Sequence, residues 1–368
     1  MNQETYRNLV SGQTSGPLAA LARLLLVLLS WPYSLAVRVR NGLYSLHLLR
    51  AQKVDAVVIS AGNLTTGGTG KTPLVVWLCR LVRRQGLRCA VLTRGYRATN
   101  QKSKIKNQKY NDEPALLAAE CPDANVVVEP DRVAGAREAI REYNAQVLIL
   151  DDGFQHRRLA RNIDVITIDA TLPFGYGRLL PAGLLREPVA GLRRADAVVI
   201  TRCDQVSEAR LAWIEEQIRR IRPQAIVATS IHAPVGAAVQ GGGEIGIEEL
   251  RGKRVFAFCG LGNPEAFFDT ARRIGCILVG SRSLDDHCAY TSDCLDEVHR
   301  QAKERKADFL LTTQKDWTKI AELPPPEGGP PLACLGIELK FIRGAELLTA
   351  LIEHALNDTI RHGRGPGK

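Results

Sequence analysis

Nine cysteines occur without a single C-x-x-C pair, their number is odd, and most lie inside apolar stretches. That excludes a disulfide framework and reads as reduced thiols in a cytosolic setting. No repeat of 20 to 50 residues recurs along the chain, which excludes a solenoid. No basic stretch precedes the first apolar run, so a secretory leader does not fit. The Lys-rich segment 101–109 (QKSKIKNQK) has only Tyr110 at its edge and no interleaved aromatics, so it lacks stacking platforms for bases. What is present is ample for folding: 368 residues with 45% hydrophobic and 24% charged side chains, enough for two globular domains. A net charge of +10 favours an anionic partner, and charge alone does not choose among nucleic acid, lipid headgroups and a phosphorylated substrate.

Residues 17–37 form a nearly continuous apolar run with one charge, Arg23, broken by Pro32 and followed by Arg38 and Arg40. Roughly 17 to 25 apolar residues span a bilayer, so a membrane anchor is expected here, either spanning or lying in one leaflet. Trp31 and Tyr33 suit the headgroup level; an apolar helix packed on the main domain is the plain alternative. Beyond it, strand-like apolar runs alternate with helix-compatible segments. That pattern predicts an α/β fold, a mostly parallel sheet covered on both faces. The expected organisation is an anchor with a basic connection over 1–50, a core domain over 51–235, a Gly-rich linker over 236–250 and a smaller α/β domain over 251–368. Segments 100–110 and 323–331 have the composition of mobile loops.

Residues 62–72 read GNLTTGGTGKT. They follow a strand-like run and open a helical pattern, with Pro73 at an early helical position that needs no donor. Glycines let backbone N–H groups turn toward phosphate oxygens, the lysine adds a point charge, and the threonine hydroxyl can hold magnesium. Thr65, Thr66, Gly67, Gly68, Thr69, Gly70, Lys71 and Thr72 are therefore the expected nucleotide cradle. The first glycine of such a loop is replaced by Thr65, so Gly67 or Gly62 must supply the turn. Asp151 and Asp152 end the apolar run 147–150; paired carboxylates there are costly without a cation, which points to magnesium. A helix cap or turn is the bland alternative. Thr201-Arg202-Cys203-Asp204 weakly matches the base-reading segment of GTPases, which keeps a membrane-associated P-loop GTPase or metallochaperone as a second reading.

Taken together, these segments resemble the tetraacyldisaccharide 4'-kinases of lipid A biosynthesis. The resemblance runs from the apolar N-terminus through G-N-L-x-x-G-G-x-G-K-T, R-G-Y (94–96), D-E-P (112–114) and D-D-G-F-Q-H (151–156). It continues through L-P-x-G-x-L-R-E-P (180–188), D-H-x-x-Y (286–290) and T-x-K-D-x-x-K (313–319). It implies a P-loop-type fold with a second α/β domain, working at the cytoplasmic face of the inner membrane. The γ-phosphate of ATP, with Mg2+, would pass to the 4'-hydroxyl of an acylated glucosamine disaccharide 1-phosphate, with no nucleic acid as partner. By the same resemblance Lys71 and Thr72 bind phosphates and magnesium, Asp151 and Asp152 sit near the metal, and Gln155 and His156 belong to the active-site motif. Asp112 would activate the sugar hydroxyl with help from His287, and Arg186 and Glu187 would line the cleft. On pattern alone Asp112 also has the form of a helix N-cap, and Cys288 stands where many members have a second histidine.

Overall fold

The computed structural model describes residues 3–95, 112–261, 264–284, 290–321, 323 and 328–362, with backbone alone at 3–4, 112–113 and 358–362. The chain clusters into two compact units, one of residues 1–101, 117–231 and 339–368, the other of 102–116 and 232–338.

In the first unit two helices, α1 (Gln3–Ser11) and α2 (Pro17–Ser45), open the chain. There follow β1 (Val57–Asn63), α3 (Lys71–Arg84), β2 (Cys89–Thr93), the end of α4 (Asp112–Glu120), β3 (Asn125–Val128), α5 (Arg132–Tyr143) and β4 (Val147–Asp151). The unit goes on through β5 (Ile163–Asp169), β6 (Ala197–Thr201), α6 (Glu208–Ile221) and the start of β7 (Ile226–Val239). The strands lie in the order β7-β6-β5-β1-β4-β2-β3, and every pairing is parallel. Every residue of β1, β2, β4 and β6 is buried, as the unbroken apolar runs require of strands covered on both faces. Leu74, Leu78 and Val82 of α3 pack on one face against Val57, Ile59 and Ile149. Val133, Ala136 and Ala139 of α5 pack on the other against Val58, Leu148 and Leu150. The Asp131 side chain accepts from Val133 N and so caps α5.

The second unit contains the rest of β7, then β8 (Glu244–Ile245), α7 (Ile247–Leu250), β9 (Arg254–Cys259), α8 (Pro264–Ile274) and β10 (Ile277–Ser283). It closes with α9 (Ser292–Glu304), β11 (Phe309–Thr313), α10 (Gln314–Ile320) and the first part of β12 (Leu332–Arg343). Its parallel order is β10-β9-β11-β12. Phe267 and Phe268 of α8 pack on Val255, Ala257 and Leu311, while Leu295 and Val298 of α9 pack on Phe256 and Phe258.

The α/β class, the mostly parallel sheet and the apolar N-terminal helix are thus present as expected. The linker expected over 236–250 is absent. Those residues form the end of β7, a tight turn, β8 and α7, and β7 pairs with β8 antiparallel through Ala237 with Ile245 and Ala238 with Glu244. Gly241, Gly242 and Gly243 supply the left-handed backbone of that turn, so their abundance reflects geometry rather than slackness. Nor does the second unit run to the C-terminus. The final helix, α11 (Ala345–His362), returns to the first unit and buries Leu348, Ile352 and Leu356 in the core beneath α3.

Candidate active site

The loop between β1 and α3 is held in place by hydroxyls and an amide. Asn63 Nδ2 donates to Thr69 Oγ1 at 3.0 Å, and Thr69 Oγ1 lies 2.7 Å from Thr167 Oγ1 at the end of β5. The Thr201 hydroxyl, ending β6, donates to the Thr69 carbonyl at 2.9 Å. Three parallel strands therefore present polar carboxyl ends to one loop, the usual ligand-binding edge of such sheets. Thr69 is 4% exposed, so its side chain is structural and its backbone is what remains for a phosphate. Gly67 and Gly70 take positive φ, 110° and 85°, and supply the turn that Thr65 cannot. Thr65 forms an antiparallel bridge with Leu185, and Thr66 N donates to the Leu184 carbonyl at 2.8 Å. Segment 180–188 thereby runs beside the loop, with Arg186 N donating to the Leu64 carbonyl at 2.8 Å.

That pairing brings the charged groups together. Lys71 Nζ lies 3.4 Å from Asp152 Oδ1, and Arg186 Nη1 donates to Asp152 Oδ2 at 2.6 Å. Burial would raise the Asp152 carboxyl, but the Lys71 and Arg186 charges outweigh it and hold the carboxyl below its ordinary value. Asp152 Oδ1 meets no hydrogen-bond donor other than the Lys71 ammonium it faces among the described residues. Asp151, 5% exposed, accepts weakly from Thr93 Oγ1 at 3.4 Å, and its carbonyl accepts from Arg132 at 3.3 Å. Thr72 sits half-buried in the first turn of α3. Among the described residues no group of three His, Cys, Asp or Glu side chains could hold a metal ion. One or two carboxylates completed by a hydroxyl and phosphate oxygens is instead the usual magnesium arrangement.

Glu187 is fully buried beneath this cluster. It accepts from Gln155 Nε2 at 3.0 Å, Asn41 Nδ2 at 3.2 Å and Arg194 Nη2 at 2.9 Å. Gln155 Nε2 also reaches the Asn63 carbonyl at 2.8 Å. Glu187 and Gln155 therefore brace the loop from below rather than line an open cleft. Helix α2 takes part as well, since Tyr33 donates to the Arg186 carbonyl at 2.7 Å and the Asn41 carbonyl accepts from Arg157 at 2.9 Å. Burial, with the Arg132 and Arg161 charges, pushes His156 down to about 4, so its ring is neutral at physiological pH. Asp112 is the first residue of α4, and its side chain lies outside the described residues. So do His287, Cys288 and segment 101–110. A cavity of about 380 Å³ lined by Cys79, Cys89 and Cys121 lies eight residues along α3 from Lys71, roughly 12 Å away, and takes no part here.

Residues 22–357 match the family model described as "Tetraacyldisaccharide-1-P 4'-kinase". The chain belongs to the tetraacyldisaccharide-1-P 4'-kinase family. A relative named tetraacyldisaccharide 4'-kinase from Anaeromyxobacter dehalogenans (strain 2CP-C) is 37% identical, covering 92% of each chain. One of the same name from Geobacter metallireducens is 39% identical, covering 85% of this chain and 90% of its own. A crystal structure of LpxK from Aquifex aeolicus in complex with ATP superposes with a TM-score of 0.71 at 29% identity, covering 91% of this chain and 99% of that one. Within this kinase family frame the stretch Thr201–Asp204 loses its GTPase reading. Thr201 supports the loop, and Arg202 is engaged by Asp169. Asn41, Arg132, Thr167 and Arg194 escaped the sequence reading, which named Tyr33 only as an aromatic suited to the headgroup level and not as the donor to the Arg186 carbonyl. Only Thr167, a polar residue near the end of an apolar strand, carried a visible signal.

Proposed function

We propose that this kinase moves the γ-phosphate of ATP to the 4'-hydroxyl of an acylated glucosamine disaccharide 1-phosphate, at the cytoplasmic face of the inner membrane. The observation that carries the reading is the Lys71–Asp152–Arg186 cluster beside the phosphate loop. It joins the generic loop to two motifs that a plain NTPase does not need.

Phosphoryl transfer is mainly positioning and charge neutralisation. Backbone N–H groups over 67–72 and the N-terminus of α3 receive the β- and γ-phosphates, with Lys71 as their point charge. Arg186, fixed by Asp152, faces the developing charge. Thr72, Asp151 and Asp152 would hold Mg2+, which when bound neutralises phosphate charge and sets the chain for in-line displacement. Asp112, with His287 assisting, takes the proton of the sugar hydroxyl as its oxygen attacks. Arg40, Arg157 and Arg194, around the foot of α2, add positive potential for an anionic acceptor. The exposed leucines of α2 give the chain its purchase on lipid.

Incubation with γ-labelled ATP, magnesium and the tetraacylated disaccharide 1-phosphate should place label on the lipid. Lys71→Ala should abolish transfer, and Asp112→Ala should lower kcat at least 100-fold with little change in ATP affinity. Label released only as inorganic phosphate would overturn the reading, and normal turnover in Asp112→Ala would remove Asp112 as the base.

A further inference from the structure

The N-terminal helix α1 lies ahead of the family-matched residues 22–357, and nothing in the proposed reaction uses it. It is nonetheless docked at the phosphate loop. The Tyr6 hydroxyl lies 2.9 Å from the carbonyl oxygens of both Pro181 and Gly183, and Leu9 is buried. The neighbouring residue Leu184 accepts from Thr66 N, so α1 is fastened to the strand segment that flanks the loop. One residue beyond Tyr6, Arg7 reaches back to the glycine turn. Its Nη2 lies 3.4 Å from where a Cβ on Gly67 would stand.

We propose that Arg7 is a phosphate-binding residue of this kinase, a guanidinium brought to the β- and γ-phosphates of ATP by the N-terminal helix that precedes the matched residues. The inference rests on the ATP-kinase reading of the same site. Charge supports it. The described cations at the loop, Lys71 and Arg186, both face the Asp152 carboxylate, which leaves them a net charge of about one against a nucleotide triphosphate of several negative charges. A guanidinium adds a planar donor set matched to phosphate oxygens, and arginines in this role raise phosphoryl-transfer rates strongly. The single Tyr6 contact pair fixes the helix turn that carries Arg7, so the cation is positioned before nucleotide arrives.

The test compares full-length wild type with Arg7→Ala, Arg7→Lys and Lys71→Ala, reading ATP, ADP and AMP affinity by titration calorimetry alongside kcat and KM. Expected for Arg7→Ala is a 10- to 100-fold loss in kcat/KM for ATP, a weaker loss in ADP affinity, unchanged AMP affinity, unchanged melting temperature and partial recovery in Arg7→Lys. Equal weakening of all three nucleotides would mean that Arg7 only supports the loop, and it would overturn the proposal. So would wild-type ATP kinetics in Arg7→Ala while Lys71→Ala is defective. If Lys71→Ala also binds and turns over ATP normally, the phosphate-loop reading itself fails.

Discussion

His156 is neutral because burial and two arginines forbid its charge, and that has a measurable sign. Its folded pKa of about 4 lies below the ordinary 6.5, so between those values the unfolded chain binds the proton and the folded chain does not. Stability should therefore rise with pH across roughly 4 to 6.5, and fall as acid is added through that window. Asp164 works in the opposite direction. Burial lifts its carboxyl to about 6 against the pull of Arg161, so the total slope is mixed and a variant is needed to separate the parts. In His156→Asn the urea midpoint should rise less, or fall further, from pH 5 to pH 7 than in wild type, because only the opposing Asp164 contribution remains; an identical slope in both proteins would show that His156 is not held neutral. Glu187 illustrates a different residue-scale rule. A buried carboxylate with three donors is stable only as a set, and removing any member strands a charge or a donor.

At the scale of elements, β1 and the turn after β4 approach more closely than any side chain would allow. A Cβ on Gly62 would lie 2.5 Å from the Phe154 Cβ and 2.8 Å from its backbone nitrogen. Gly62→Ala must then spread the turn that carries Asp151 and Asp152 away from the strand that feeds the loop. The expected cost is about 1 to 3 kcal/mol of stability, together with weaker ATP binding, checked by denaturant midpoint and nucleotide titration. Wild-type values for both would show that the two segments separate freely. The strands were legible in the sequence because covered parallel strands must be apolar throughout, and the loop was legible because its glycines and Lys71 have few other uses. The turn at 241–243 was misread because the same glycines that make a linker slack also make a hairpin tight. The return of α11 left no mark, since its partners lie more than two hundred residues away in the chain. Lys71, Asp152, Arg186 and Gln155 were found as a motif set, and the structure joins them; the roles of Asn41, Tyr33 and Arg7 could not be read, because a lone polar residue on a helix says nothing of what it faces.

At the scale of the whole molecule, α2 has 29 residues and a window that is 11% buried, a length of about 44 Å against a bilayer core of roughly 30 Å. Leu18, Leu21, Leu25, Leu28, Leu29 and Trp31 are all exposed, a contiguous apolar face of the kind that soluble monomers avoid. Replacing Leu18, Leu21, Leu25 and Leu28 by serine should release the protein from anionic lipid vesicles in a flotation assay while leaving its melting temperature and ATP affinity near wild type, because none of the four is packed in a core. Retention on vesicles would assign membrane binding elsewhere.

The same helix that carries those leucines also hydrogen-bonds Arg186 and Glu187 through Tyr33 and Asn41. If that helix lies in the membrane as proposed, a catalyst gripped in this way would meet an acceptor that diffuses in a sheet, not in a volume. Its rate should then scale with the mole fraction of acceptor among the surrounding lipids. Diluting that acceptor with inert lipid or detergent, at constant amount per millilitre, should slow the reaction as surely as removing it.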